Sequence, residues 1–402
     1  MKRLAAAIAA VTLLAGCTSG APAVSVTPPP VVSSPATTAG PGAPTPSPTP
    51  SASTTAPPSV AECAATVVDG LSLRERVGLT VMVGVTGASS SELSVLRSQR
   101  IGSVILMGQH TDGVAGVRRL TARLALDDLP TPLLISVDQE GGVVQRLKGT
   151  GFSTIPSAVV QAGLSDATLR SRAARWGRQL ASAGVGWTLA PVADTVPADM
   201  TSRNEPIGVL ERGYGSTPGT VADKVTAFVQ GMHDSGVATS AKHFPGIGRV
   251  VGNTDFTAGV KDTVTRSDDP YLQPFAAAVE AGAPSIMVST VTYTRIDARH
   301  PAVFSPTVIG LLRDQLGFDG VVISDDLGAA KSMASVPADE RGVGFIEAGG
   351  DIAMTVTPGL ADDFAAGIRR AARDDPAIAD QVRAAATRVV AMKIDAGLLP
   401  CR

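Results

Sequence analysis

The sequence predicts an α/β chain that folds as a single (β/α)8 TIM barrel. Three observations carry this expectation. Eight short, β-branched apolar runs recur along the chain, stretches of helical periodicity separate them, and charged residues stand directly after four of the runs.

The runs are Val77 to Val85, Gly102 to Gly108, Leu133 to Val137, Trp187 to Val192, Val237 to Ala241, Ser285 to Val291, Gly320 to Ser324 and Asp351 to Val356. They are nearly all apolar rather than alternating, as strands of a parallel sheet are when both faces are covered. Between them Ser165 to Ala183, Thr217 to Asp234, Pro270 to Ala281 and Ser305 to Leu316 carry helical spacing, several opening on Ser, Asp or Thr and closing on Gly. Two further helical patterns follow the last run. An open doubly wound sheet is the alternative; it would show fewer strands and a G-x-G-x-x-G loop after the first, and none stands there.

Ahead of this region the chain changes character. Lys2 and Arg3 precede an apolar run from Leu4 to Ala15 that is too short to span a bilayer and reads as an export signal. The run ends in Leu14-Ala15-Gly16-Cys17, which resembles the bacterial lipobox, so Cys17 is the expected lipidation site; an ordinary signal peptide with an incidental cysteine is the alternative. Residues 18–60 are Pro, Thr, Ser and Ala with almost no charge or aromatic content, a composition that cannot offset its chain entropy by burial and reads as a tether. The organisation expected is a lipoprotein signal at 1–17, the tether at 18–60 and the barrel at 61–402, in an exported protein anchored to the outer face of the membrane.

Cys17 aside, Cys63 and Cys401 remain, near the two ends of the barrel region. Leftover cysteines in an oxidising compartment tend to pair, and the ends of a closed barrel lie close because its first and last strands are neighbours. A Cys63–Cys401 disulfide is therefore expected, with two free thiols as the alternative. The 34 basic and 36 acidic residues nearly cancel to a net charge of −2, which leaves no electrostatic footprint for nucleic acid. Small polar partners and a monomer fit better. The four histidines show no H-E-x-x-H or comparable spacing, so neither metal nor cofactor is expected.

Chemistry on such a barrel sits at the C-terminal strand ends. There the third run is followed by Asp138, the fourth by Asp194, the fifth by Lys242 and His243, and the seventh by Asp325 and Asp326. One such residue alone reads as a helix cap or a rim ion pair; several converging on one mouth read as a site, because each charge there is costly unless paired or used. Asp325 fits a nucleophile or electrostatic stabiliser, while Asp326 equally fits the cap of the next helix. Lys242, Arg146 and Arg212 supply donors for sugar hydroxyls and for an amide or carboxylate. A Lys at a strand end also fits a Schiff base, so an aldolase-like lyase is an alternative chemistry.

The motifs DQEGG at 138–142, VVQR ending at Arg146, PVAD at 191–194, IGVLERGYG at 207–215, KHFPG at 242–246 and GVVISDDL at 320–327 follow one another in an order that resembles the single-domain β-N-acetylglucosaminidases of glycoside hydrolase family 3. The resemblance runs over residues 65–397. It implies a barrel in which Asp325 is the nucleophile of a retaining, exo-acting hydrolase, and Asp138, Arg146, Arg212, Lys242 and His243 hold the terminal N-acetylglucosamine. The implied substrate is a β-linked N-acetylglucosamine on a cell-wall fragment of muropeptide type.

One loop departs from that pattern. After KHFPG the family carries a second His and then Asp-Ser-His as its general acid and base; here the segment reads GIGRVVGNTDFTAG, with Ile247 and Thr257 at the two histidine places. A threonine hydroxyl supplies no proton near neutral pH. Asp255 stands at the dyad aspartate and, with a raised pKa, is the candidate acid and base; another residue swinging in on the loop is an alternative. His110 and His300 lie outside the loop and read as structural. A sugar-binding lipoprotein with little hydrolysis, or an enzyme that transfers the sugar to phosphate, are the alternatives.

Overall fold

The computed structural model describes residues 58–401. The expected signal, the Cys17 lipidation site and all but the last residues of the expected tether lie outside the described residues. The folded region opens slightly earlier than expected, since the helix Val60–Asp69 starts at Val60 on a Ser59 cap whose partner is Glu62.

Eight parallel strands form the centre: β1 Val81–Val85, β2 Ser103–Leu106, β3 Leu134–Val137, β4 Trp187–Thr188, β5 Ala238–Phe244, β6 Ser285–Val288, β7 Val321–Ser324 and β8 Ala353–Thr355. They pair in the order β7-β6-β5-β4-β3-β2-β1-β8. The remaining gap is closed by Ser324 N–H donating to the Ile352 carbonyl at 3.0 Å and Ile352 N–H donating to that of Val322 at 3.1 Å. Every predicted run therefore contributes one strand. The first does so over only half its length, because Val77 to Leu79 close the helix Leu73–Leu79, capped by Ser72 and Glu75, before the chain turns into β1.

The predicted helices appear as Asp166–Ser182, Pro218–His233 and Gln273–Glu280, with Ser165 and Thr217 at the first two N-caps. Ser305 to Leu316 is less regular: a helix over Pro306–Gly310 widens into a π-turn over Leu311–Gln315. Ala361–Asp374 and Pro376–Asp395 follow β8.

The short strands have no solvent face, which explains their unbroken apolar composition. Val83, Val104 and Val137 belong to one buried cluster with helix side chains that include Phe228, Phe345 and Phe364. A second cluster holds Met82, Ile105, Leu134, Trp187, Leu189, Met287, Ile323 and Met354, and it extends to Cys63, Val68 and Val389 from the first and last helices. It fills the barrel, so the mouth above is a dead-ended pocket rather than a channel. Burial of each such side chain stabilises by about 1.5–3 kcal/mol. Cys63 and Cys401 are joined, with their Cα atoms 5.4 Å apart.

Candidate active site

At the C-terminal mouth of the barrel a cavity of about 500 Å³ is lined by all seven residues the sequence assigned to the site: Asp138, Arg146, Arg212, Lys242, His243, Asp255 and Asp325. Its floor is apolar, made by Ile105, Met107, Leu189, Met287 and Met354.

One wall is a buried chain of ion pairs. Arg146 Nε lies 3.3 Å from Asp138 Oδ2, and Lys242 Nζ lies 2.8 Å from Asp138 Oδ1 and 2.7 Å from Glu140 Oε1. Arg212 closes the chain with a two-pronged contact to Glu140 at 2.9 and 2.8 Å. Burial works against both carboxylates, yet Arg212 and Lys242 hold Glu140 far below the ordinary range, and Lys242 with Arg146 holds Asp138 down. Burial also works against the Lys242 ammonium, but Asp138 and Glu140 outweigh it and raise its pKa. A Schiff base needs a neutral amine, and these two carboxylates favour the charged one, which counts against the lyase alternative.

A short hairpin after β3 builds this wall. Gln139–Gly141 pairs antiparallel with Val144–Gln145. Buried Gln139 and Gln145 fasten it, each donating to the Leu147 carbonyl. At Gly141 the backbone is left-handed, φ 108°, and a Cβ there would collide with the Pro156 carbonyl, so the turn requires glycine. Glu140 was not among the assigned residues. Its signal was present in the Asp138-x-Glu140 spacing, since alternate residues of a strand share a face.

Asp194, wholly buried, organises the opposite corner. Its carboxylate accepts His243 Nδ1 at 2.7 Å and the Ile247 N–H at 2.7 Å, which orients the imidazole and anchors the segment after KHFPG. Buried Asn204 adds a second anchor, donating to the carbonyls of Ile247 and Val250, both at 2.8 Å.

Asp325 and Asp255 stand outside the ion-pair chain. The Asp325 N–H donates to the Val288 carbonyl at 2.8 Å, which holds the residue in barrel register. Asp255 sits on an exposed loop with its carboxyl lining the cavity. Loss of water around that carboxyl and repulsion from Asp325 push its pKa up to about 6. Asp326 caps no regular helix. Instead it accepts the N–H groups of Gly328, Ala329 and Ala330 and, across the barrel seam, that of Val356. His110 contacts the Met107 carbonyl at 3.0 Å and His300 pairs with Asp297 at 2.9 Å; neither lines the cavity. Among the described residues no group of three or more His, Cys, Asp or Glu is placed to hold a metal ion.

Two carboxylates lining one cavity at a barrel mouth, beside fixed donors suited to hydroxyl groups, match the class of barrel glycoside hydrolases. The family described as "Glycosyl hydrolase family 3 N terminal domain" matches residues 72–392. The chain belongs to glycoside hydrolase family 3. A β-hexosaminidase of Xylella fastidiosa is 34% identical over 308 residues, which cover 70% of this chain and 85% of that protein. The solved β-N-acetylhexosaminidase of Beutenbergia cavernae is 44% identical, with a TM-score of 0.78 over 80% of this chain and 98% of that one. The family 3 β-N-acetylglucosaminidase from a Paenibacillus species is 28% identical, with a TM-score of 0.74 over 82% of this chain and 63% of that one.

Proposed function

We propose that the chain is a retaining, exo-acting β-N-acetylglucosaminidase, exported and lipid-anchored at Cys17, which removes terminal N-acetylglucosamine from cell-wall fragments of muropeptide type. The observation that carries the reading is one cavity holding two carboxyls of different character: Asp325, and Asp255 with a pKa raised to about 6. A carboxyl whose pKa is raised in this way suits the acid, which leaves the nucleophile's place to Asp325 at the end of its strand. The β-N-acetylhexosaminidase relative, 44% identical, supports the sugar class.

In the first step an Asp325 oxygen bonds to the anomeric carbon as the bond to the leaving oxygen breaks, and the proton of Asp255 passes to that oxygen. In the second, Asp255 takes a proton from water, the water oxygen bonds to the same carbon, and the Asp325 ester breaks. Configuration is retained and Asp255 ends protonated, as it began. Arg146, Lys242, Arg212, Asp138 and His243 grip the hydroxyls and acetamido group of the terminal sugar. The dead-ended pocket supports exo action.

The test is release of N-acetylglucosamine from a β-linked disaccharide. Asp325→Asn should abolish it with the melting temperature unchanged, and NMR should detect the β-anomer first. Wild-type turnover by the variant would overturn the assignment. Sugar-1-phosphate formed on adding phosphate would make the protein a phosphorylase, and binding without turnover would make it a lectin-like lipoprotein. Partition into detergent that is lost in Cys17→Ser tests the anchor.

A further inference from the structure

We infer that the turn from Asp326 to Ser332, which follows the nucleophile, is a clamp that positions the Asp255 loop, so that nucleophile and acid are set by one structural unit. The inference rests on the reading of Asp255 as the acid.

The root of the Asp255 loop is held from below by Asp194 and Asn204. Its tip is held differently. The Lys331 N–H donates to the Asp255 carbonyl at 3.1 Å and the Ser332 N–H donates to that of Thr254 at 3.2 Å. Among the described residues these are the backbone hydrogen bonds that reach Thr254 and Asp255 from outside their own loop.

The donating turn is itself fixed on every side. The Asp326 carboxylate accepts the N–H groups of Gly328 at 2.9 Å and Ala329 at 2.8 Å, and one of its oxygens also accepts the Val356 N–H at 2.9 Å. Arg341, nearly buried, donates to the carbonyls of Leu327 at 2.8 Å and Gly328 at 2.9 Å. Ser332 Oγ lies 3.0 Å from Thr290 Oγ1. A Cβ at Gly328 would collide with the Thr355 hydroxyl, so the turn lies tight against β8. A rigid support of this kind is what a loop-borne acid needs, since proton transfer requires hydrogen-bond reach to the leaving oxygen.

Lys331 offers a direct test because its side chain is exposed and the donor at issue is its backbone N–H. It opens a 3-10 helix, and Ala330 before it is extended at φ −57°, ψ 129°, so Lys331→Pro fits the backbone while deleting the donor. Lys331→Ala keeps the N–H. We expect Lys331→Pro to lower kcat/KM on an N-acetylglucosaminyl disaccharide about tenfold, a fraction of the full general-acid contribution. On a dinitrophenyl glycoside, whose leaving group needs no proton, kcat/KM should stay within about twofold of wild type. The limb of the pH profile set by Asp255 should shift, and Lys331→Ala should match wild type.

Wild-type behaviour of Lys331→Pro on the disaccharide, or equal loss on both substrates, overturns the clamp. Should Lys331→Pro misfold by circular dichroism, Asp326→Asn must give the same leaving-group dependence, and its absence overturns the clamp equally. Asp255→Asn is run alongside: if it shows no leaving-group dependence, the acid assignment fails and the clamp with it; if it does while Lys331→Pro does not, the clamp alone fails.

Discussion

Arg212 holds Glu140 through two parallel contacts of 2.9 and 2.8 Å, while Lys242 approaches the same carboxylate at 2.7 Å. Both cations share this buried anion. Glu140→Gln keeps the shape but removes the carboxylate that contacts both Lys242 and Arg212, leaving Asp138 against Lys242 and the charges of Asp138 and Asp194 near Arg212. Loss of one partner from a buried ion pair costs about 3–5 kcal/mol. Urea denaturation should register a loss of that size, with a raised KM for the sugar.

Asp255 predicts two pH effects of opposite use. As the acid it must be protonated, so kcat/KM on the disaccharide should fall as pH rises through about 6. For stability, the folded state holds this proton more tightly than the unfolded state does. Stability therefore declines as pH rises from the ordinary carboxyl range through about 6, and above it the charged carboxyl is unfavourable. Asp255→Asn should raise the melting temperature at pH 7 and leave it unchanged at pH 3. A profile with no limb near 6 would remove Asp255 from the acid role.

Lys393 is a buried titrating group that does not line the cavity. Its ammonium donates to Thr131 Oγ1 at 2.7 Å and to the Pro132 carbonyl at 2.8 Å. Burial without a carboxylate partner pushes its pKa down to about 7. The unfolded state then binds more protons between about 7 and the ordinary lysine value, so stability rises with pH across that window. Thermal melts of wild type against Lys393→Met should show this slope in the wild type and lose it in the variant.

The Cys63–Cys401 bond ties the first helix of the domain to its C-terminus, across a sequence separation of 338 residues. Neither cysteine lines the cavity at the mouth. Cys401→Ser should therefore lower unfolding stability by about 2–5 kcal/mol while kcat/KM holds. Denaturant midpoints and disaccharide assays on the same preparation check both halves.

The barrel was legible in the sequence because each strand, covered on both faces, must be apolar throughout, and each run that satisfied this became a strand. Boundaries were less legible. Val77 to Leu79 are as apolar as the strand they precede, yet the Ser72–Glu75 cap commits them to a helix. That the candidate site residues share one cavity was legible for the same topological reason: polar groups placed after parallel strands gather at one mouth. Asp325, Lys242 and His243 could be found by position alone.

What only the tertiary structure decided is how these charges behave toward one another. That Lys242 stays protonated depends on Asp138 and Glu140 meeting it, 104 positions away in the case of Asp138. That Asp255 resists ionisation depends on a cavity shared with Asp325. That residues 331 and 332 steady its loop depends on backbone N–H groups, which every residue but proline possesses and no motif records. Sequence determines which side chains exist and where apolar strands force them to gather. Ionisation and loop support are set by distance and burial, which exist only once the chain has closed on itself.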